Sequence, residues 1–359
     1  MLLNQLNANY TFDELAIWKT NLPNAKHTVL PPSNGRPNPL VAGTMVYVSV
    51  FSPGAIYALD RQTGKLVWHR EIPKFAGSAV HLADGKLFAK TANTLLALKP
   101  ETGETIWSFC PYGESGETIY SHPAVYRNSI FIGDRRGYLH CLNSRTGATV
   151  WSRKTNRAKN CDVNTTPVVM KSTVIIGTNA SMASAYDIVS GKNVWSRKLD
   201  GPSAYGPFTC AGLVVVVTDS LYYLNPENGH VVRKFSWTND GVTSAAATGE
   251  SMVAILRGGW PPQGNIRVVA LNKNEMRFTV DYKAFVGFLS YAAETKLVYV
   301  SHLEGIDVIH PNDGSVAFRL KRDNAMAGYG AVDVKQKTIY ALTDDGWVYA
   351  LRHPALSSR

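Results

Sequence analysis

An all-β, eight-bladed β-propeller of four-stranded antiparallel blades is the fold the sequence predicts. Three observations predict it: a long-period internal repeat, a glycine at a fixed place in each copy, and short alternating apolar runs on either side of that glycine. The repeat is plainest in ALDRQTGKLVW from Ala58, ALKPETGETIW from Ala97, CLNSRTGATVW from Cys141 and AYDIVSGKNVW from Ala185. Weaker copies start at Tyr223, Ala270 and Val308, and a truncated one, ALRHPAL, at Ala350. Successive starts lie 39, 44, 44, 38, 47, 38 and 42 residues apart. Such a period means propeller blades or a solenoid.

The local pattern favours blades. In each copy an alternating run leads into a turn with glycine and out into a second run, which is hairpin chemistry because glycine accepts positive φ. A further strand pair stands upstream, as in HLADGKLFAKT, VYRNSIFIGD and TCAGLVVVVTD. Four short strands per repeat, with almost no helical periodicity, fit a propeller blade. The eighth copy lacks an outer strand, and the N-terminus offers one: LAIWKTNLP around Trp18 resembles LVWHREIP around Trp68. Leu15–Asn21 is therefore expected to pair with strands near Ile339–Leu351 and close the ring, which removes two exposed sheet edges. Residues 1–359 are read as a single domain: closing strand and entry loop 1–36, repeat blades 37–351, tail 352–359.

Trp68, Trp107, Trp151 and Trp195 each follow the turn glycine by four residues, and Phe318 takes the same slot. An aromatic repeated with the fold is expected to cover the flank of a neighbouring blade. Gly64, Gly103, Gly147, Gly191, Gly229 and Gly314 are read as turn residues, not as a phosphate loop.

Composition bounds the function classes. The 359 residues carry 37 Lys plus Arg against 27 Asp plus Glu, a net charge of +10. The excess favours acidic partners or anionic surfaces, but it is scattered, which disfavours a nucleic-acid module. The longest apolar run, LVVVV at 213–217, is strand length, so no transmembrane segment is expected. The N-terminus shows no secretory leader. The compartment is cytoplasmic if the sequence is complete as written and periplasmic if a leader has been removed. The four cysteines lack metal-ligand spacing; Cys141 and Cys210 read as buried thiols, whereas Cys110 and Cys161 fall near loops of adjoining blades and leave a bridge open.

The A-x-D-x-x-T-G-x-x-x-W pattern, matched in full by Ala58, Asp60, Thr63, Gly64 and Trp68, resembles the pyrroloquinoline-quinone-type repeat of the quinoprotein alcohol dehydrogenase-like propellers. Length and copy number are most similar to the bacterial propeller lipoproteins of the outer-membrane β-barrel assembly machinery. That resemblance implies a binding scaffold without a cofactor. The alcohol-oxidising members imply an adjacent cysteine pair and a calcium-bound quinone. This chain has no Cys-Cys dipeptide and no clear calcium constellation, so neither pyrroloquinoline quinone nor calcium is expected.

Function is then expected on the loop face opposite the glycine turns and at the channel mouth. Inner strands are expected to begin near Ser121–His122, Tyr205–Gly206, Ser290–Tyr291 and Tyr329–Gly330. His122 with Tyr205, Tyr291 and Tyr329 would line either a hydrated channel or a ligand pocket. Arg135 and Arg136 are expected near Arg153, Lys154, Arg157 and Lys159, as a basic patch for carboxylates or phosphates or as a solvated face. Trp260, in the insert LRGGWPPQGNIR, is a candidate partner contact. His122, His140, His302 and His310 stand apart in sequence, with no metal-ligand spacing, and no catalytic constellation is evident. Asp344-Asp345-Gly346 reads as a hairpin turn. The leading reading is a monomeric, non-enzymatic propeller that binds a protein partner or small anionic ligand. The alternative is a small-molecule enzyme at the channel mouth, such as a divergent quinone-dependent oxidoreductase.

Overall fold

The computed structural model describes residues 8–25, 39–50, 54–72, 80–113, 119, 121–155, 161–163, 165–203, 205–236, 242–248, 252–257, 266–272, 275–282, 286–302, 304–322 and 327–357. Strand residues dominate, and the described strands form eight sheets, seven of four strands and one of five. Contacts divide the chain into two units, His81–Val242 on the one hand and Met1–Val80 with Thr243–Arg359 on the other.

The His81–Val242 unit holds four antiparallel meanders, and two of them carry the candidate site. One runs His81–Ala83, Lys86–Lys90, Leu95–Leu98, Thr105–Phe109. The next runs Ala124–Tyr126, Ser129–Gly133, Tyr138–Asn143, Thr149–Lys154. Strands Val168–Met170 to Asn193–Lys198 and Tyr205–Cys210 to Val231–Ser236 make the other two. In each meander the second and third strands are buried on both faces, as with Ile130, Phe131, Leu139 and Cys141, whereas the outer strands are mostly exposed.

The other unit contains the sheet of Leu40–Ala42 to Leu66–Glu71, that of Val242–Thr248 to Glu275–Tyr282, and two sheets completed from the N-terminus. Ala16–Asn21 pairs antiparallel with Trp347–Arg352, placing Trp18 opposite Ala350. This is the strand pairing that the sequence suggested. Ala8–Thr11 was not foreseen: it runs parallel to Val316–Lys321 as a fifth strand. A one-turn helix, Phe12–Leu15, links the two, held by a capping box between Thr11 and Glu14. Phe12 and Leu15 are buried against Tyr349 and Leu351.

The repeat motif has a physical basis in the turn. Asp60 Oδ1 accepts from Gln62 N, Thr63 N and Thr63 Oγ, at 3.1, 2.8 and 2.7 Å. Asn143 and Asp187 do the same for Thr146 and Ser190. These bonds shape the chain so that the glycine follows at positive φ, from +65° to +75° at Gly64, Gly103, Gly147, Gly191, Gly229 and Gly314. A register shift just after the turn then rotates the aromatic onto the small residue that opens the motif, Trp195 opposite Ala185 and Trp151 opposite Cys141.

From there each tryptophan reaches the turn of the following sheet. Trp18 Nε1 donates to Arg61 O at 3.0 Å, Trp107 to Ser144 O at 3.2 Å, Trp151 to Ile188 O at 3.2 Å and Trp195 to Pro226 O at 2.9 Å. Each acceptor precedes a turn glycine by three residues, and the indole lies flat on that glycine. The flank-covering role expected of these aromatics is thus observed for Trp107, Trp151 and Trp195, and Trp18 joins them. Trp68 is half-buried against Tyr47, and Phe318 packs edge-on against His353.

Candidate functional site

The loop after Ser129–Gly133 builds a side-chain cluster around one carboxylate. Asp134 is fully buried. Its Oδ2 accepts from Tyr112 Oη at 2.5 Å and from His140 Nε2 at 2.8 Å, and its Oδ1 accepts from Tyr138 N at 2.9 Å. An ionised Asp134 makes Nε2 the donor, so the Nδ1 of a neutral His140 accepts from Ser152 Oγ at 2.8 Å. Burial alone would push the Asp134 carboxyl up, but the bonds from His140, Tyr112 and Tyr138 N together hold it below the usual carboxylate range. Burial, then the bond to Asp134, push the Tyr112 phenol up. Phe109 and Tyr138 enclose the imidazole. The result is a rigid strut through strand and loop.

This strut carries two exposed cations. Arg136 lies over the Tyr112 ring, 4.0 Å from its centroid, and Arg135 Nε stands 3.8 Å from Asp162. Lys154 lies over Tyr138 and donates to the Arg136 carbonyl. The expected all-basic patch therefore needs correction in two ways. Asp162 puts a carboxylate beside Arg135. Arg153 points away, to the Ser190 carbonyl at 2.8 Å, because its position on the outer strand favours the next sheet's turn. Arg157 and Lys159 lie outside the described residues.

Other expected residues are placed as follows. Tyr291 does not open an inner strand. It is the sixth residue of Val286–Ala292, opposite Val298 and next to the hairpin, because the strand starts four residues earlier than Ser290–Tyr291. Tyr205 begins Tyr205–Cys210, and Tyr329 is third in Ala327–Asp333; the surroundings of both side chains lie outside the described residues. Trp260 lies outside them as well. His122 is buried, with its ring 5.6 Å from that of His81. His140 and His302 each meet a carboxylate, His140 that of Asp134 and His302, whose Nε2 is 3.2 Å away, that of Asp307. Cys110, Cys141, Cys161 and Cys210 are not joined in disulfides, so the Cys110–Cys161 bridge left open by the sequence is not formed. Cys161 instead packs against Gly137, its Sγ 3.7 Å from the Arg136 carbonyl. Asp345 sits in a hairpin turn, as read, and accepts from Arg322 at 2.6 Å.

A cleft of about 530 Å³ in the other unit, lined by Trp18, Asp60, Arg61, Gln62, Gln336 and Tyr340, had no signal of its own in the sequence. Its Arg61 is neutralised by Asp333 and held to the Gly43 carbonyl, so that guanidinium is already engaged within the protein.

The family model described as outer membrane protein assembly factor BamB matches residues 12–235. BamB of Francisella salina is 32% identical over 108 residues, 30% of this chain and 20% of that protein. BamB of Yersinia pestis is 31% identical over 107 residues, 30% of this chain and 26% of its own. The matches thus span a fifth to a quarter of these relatives. The crystal structure of BamB from Moraxella catarrhalis aligns over 94% of this chain and 99% of its own, at TM-score 0.60 and 15% identity. Quinohemoprotein alcohol dehydrogenase from Comamonas testosteroni aligns over 94% of this chain and 76% of its own, at TM-score 0.68 and 13% identity. These structural likenesses concern the fold, an all-β, propeller-like one built from pyrroloquinoline-quinone-type repeats. By the family match over more than half its length, the chain belongs to the family of the outer membrane protein assembly factor BamB.

Proposed function

We propose that this chain is a non-catalytic propeller scaffold that binds a protein partner in outer membrane protein assembly, the process for which its relatives are named. In this reading its eight sheets are the blades of one ring and one domain over residues 1–359, closed by Ala16–Asn21 and acting as a monomer without a cofactor. The family match over residues 12–235 is the observation that carries the reading.

The binding surface we assign is the loop of Arg135 and Arg136. Its support is chemical: two exposed guanidiniums on a backbone immobilised by Asp134 lose little freedom when they engage carboxylates, and Arg offers bidentate geometry. Asp162 is displaceable, because a contact at 3.8 Å to a half-exposed arginine is worth little. The partner is therefore an acidic protein segment.

The test is co-purification of the full chain with outer-membrane assembly proteins of the same source, with and without Arg135→Ala plus Arg136→Ala. The double variant should weaken the complex about tenfold or more, roughly 1.4 kcal/mol, with thermal unfolding unchanged. Equal affinity would remove this loop from the interface. No complex with the unaltered chain, together with a stoichiometric spectral change on adding pyrroloquinoline quinone and calcium, would replace the scaffold by an oxidoreductase.

A further inference from the structure

We propose that His81 and His122 form an open binding site for one imidazole-preferring transition-metal cation, Zn²⁺, Ni²⁺ or Cu²⁺. His81 starts the inner strand His81–Ala83, and His122 stands one residue, Pro123, ahead of the inner strand Ala124–Tyr126 of the following sheet, in the same unit. Their ring centroids are 5.6 Å apart, with planes at 64°. A Zn–N bond of ~2.0–2.1 Å sets each ring centroid ~3.2 Å from the ion, so two ligating imidazoles stand ~5 Å apart at a tetrahedral angle and ~6.4 Å apart when opposed. The observed separation falls inside that window before any ion is bound.

His81 supplies the second observation. Its Nε2 is sealed from solvent and makes no hydrogen bond among the described residues. A buried polar atom left so carries an uncompensated desolvation cost, which a bound cation would recover. Burial also lowers the His81 pKa, keeping the ring neutral and its lone pair available. Both histidines are held in place. His81 is fixed by its pairing with Phe88, and the backbone at His122 is fixed by Ser121, whose Oγ accepts from Gly133 N at 2.6 Å.

The donor set selects the ion. Two neutral imidazoles suit Zn²⁺, Ni²⁺ and Cu²⁺ and give Ca²⁺ or Mg²⁺ no oxygen cage. The remaining coordination positions fall to water or a ligand. Lys90 shares the face of Phe88, and with its pKa lowered by burial to about 8 it sheds its charge, and its repulsion of a cation, only as pH rises above that value.

Untagged, chelator-stripped full chain titrated with Zn²⁺ and with Co²⁺, a spectroscopic stand-in, should take up one equivalent. His81→Gln and His122→Gln should each weaken Zn²⁺ binding about tenfold or more. His230→Gln, at an exposed turn, should bind as the unaltered chain does. Should either glutamine variant fail to fold, histidine-labelled unaltered protein keeps the test decisive, because Zn²⁺ should shift two imidazole signals. No stoichiometric uptake, shifts at other histidines, or folded glutamine variants with undiminished affinity would each overturn the site.

Discussion

Gly229→Ala should reveal how tightly the tryptophan of one sheet is fitted to the turn of the next. Gly229 has φ +67°, and Gly212, in a hairpin of the same sheet, has φ +74°. Alanine therefore pays a similar left-handed backbone cost at both, about 1–2 kcal/mol. The space differs. A Cβ at Gly212 meets nothing within 4 Å, whereas one at Gly229 falls 2.5 Å from Trp195 Cε3 and 2.7 Å from Cδ2. The indole cannot swing away without breaking its 2.9 Å bond to Pro226 O, so an overpacking cost of about 1–3 kcal/mol is added. Gly229→Ala should destabilise by about 2–5 kcal/mol in total, and Gly212→Ala by about 1–2. Trp195→Ala should itself cost about 3–5 kcal/mol, but in that background Gly229→Ala should fall to its backbone cost. Urea unfolding of the four variants, followed by midpoint and slope, measures the cycle. Equal costs at Gly229 and Gly212, or strict additivity with Trp195→Ala, would refute the docking argument.

Two further expectations concern acid. Burial, first of all, lowers the His353 pKa to about 4, below an unfolded value near 6.5. The unfolded chain then binds the proton first, so stability should decline as pH falls from about 6.5 to about 4, by about 3 kcal/mol in all. His353→Gln should flatten that part of the stability–pH curve, and an unchanged slope would count against it. Asp134, with its folded value held low, contributes stability that is present above about pH 4 and lost as pH falls further through the folded value. Asp134→Asn should cost about 2–3 kcal/mol at neutral pH and remove this acid limb, read by thermal unfolding across pH.

Most of the framework was legible because a repeat states the same packing solution several times. Trp107, Trp151 and Trp195 share one offset from their glycines, so a single physical reading served for all three. The parallel strand Ala8–Thr11 was not legible, since its four residues lie outside the repeat and its partner is a sheet edge. The Asp134 cluster was hidden for another reason. Asp134 and His140 meet only because the register of Ser129–Gly133 with Tyr138–Asn143 folds residues six apart onto each other. The fragment GDRRGYLH drew notice for its arginines, whereas the buried carboxylate that positions them looked like an ordinary turn residue. Arg153 misled in the opposite sense, being close to Lys154 in sequence but directed toward a different sheet.

The pairing of Ala16–Asn21 with Trp347–Arg352 bears on how the molecule is made. On the ribosome, Ala16–Asn21 emerges long before its hydrogen-bonding partner exists. Ile17 and Trp18 must wait, amphipathic and unpaired, until Trp347–Arg352 has been made. A nascent chain in that condition is a natural client for chaperones, and a permuted chain in which Ala16–Asn21 directly follows Trp347–Arg352 as a hairpin should mature faster with no change in its finished contacts.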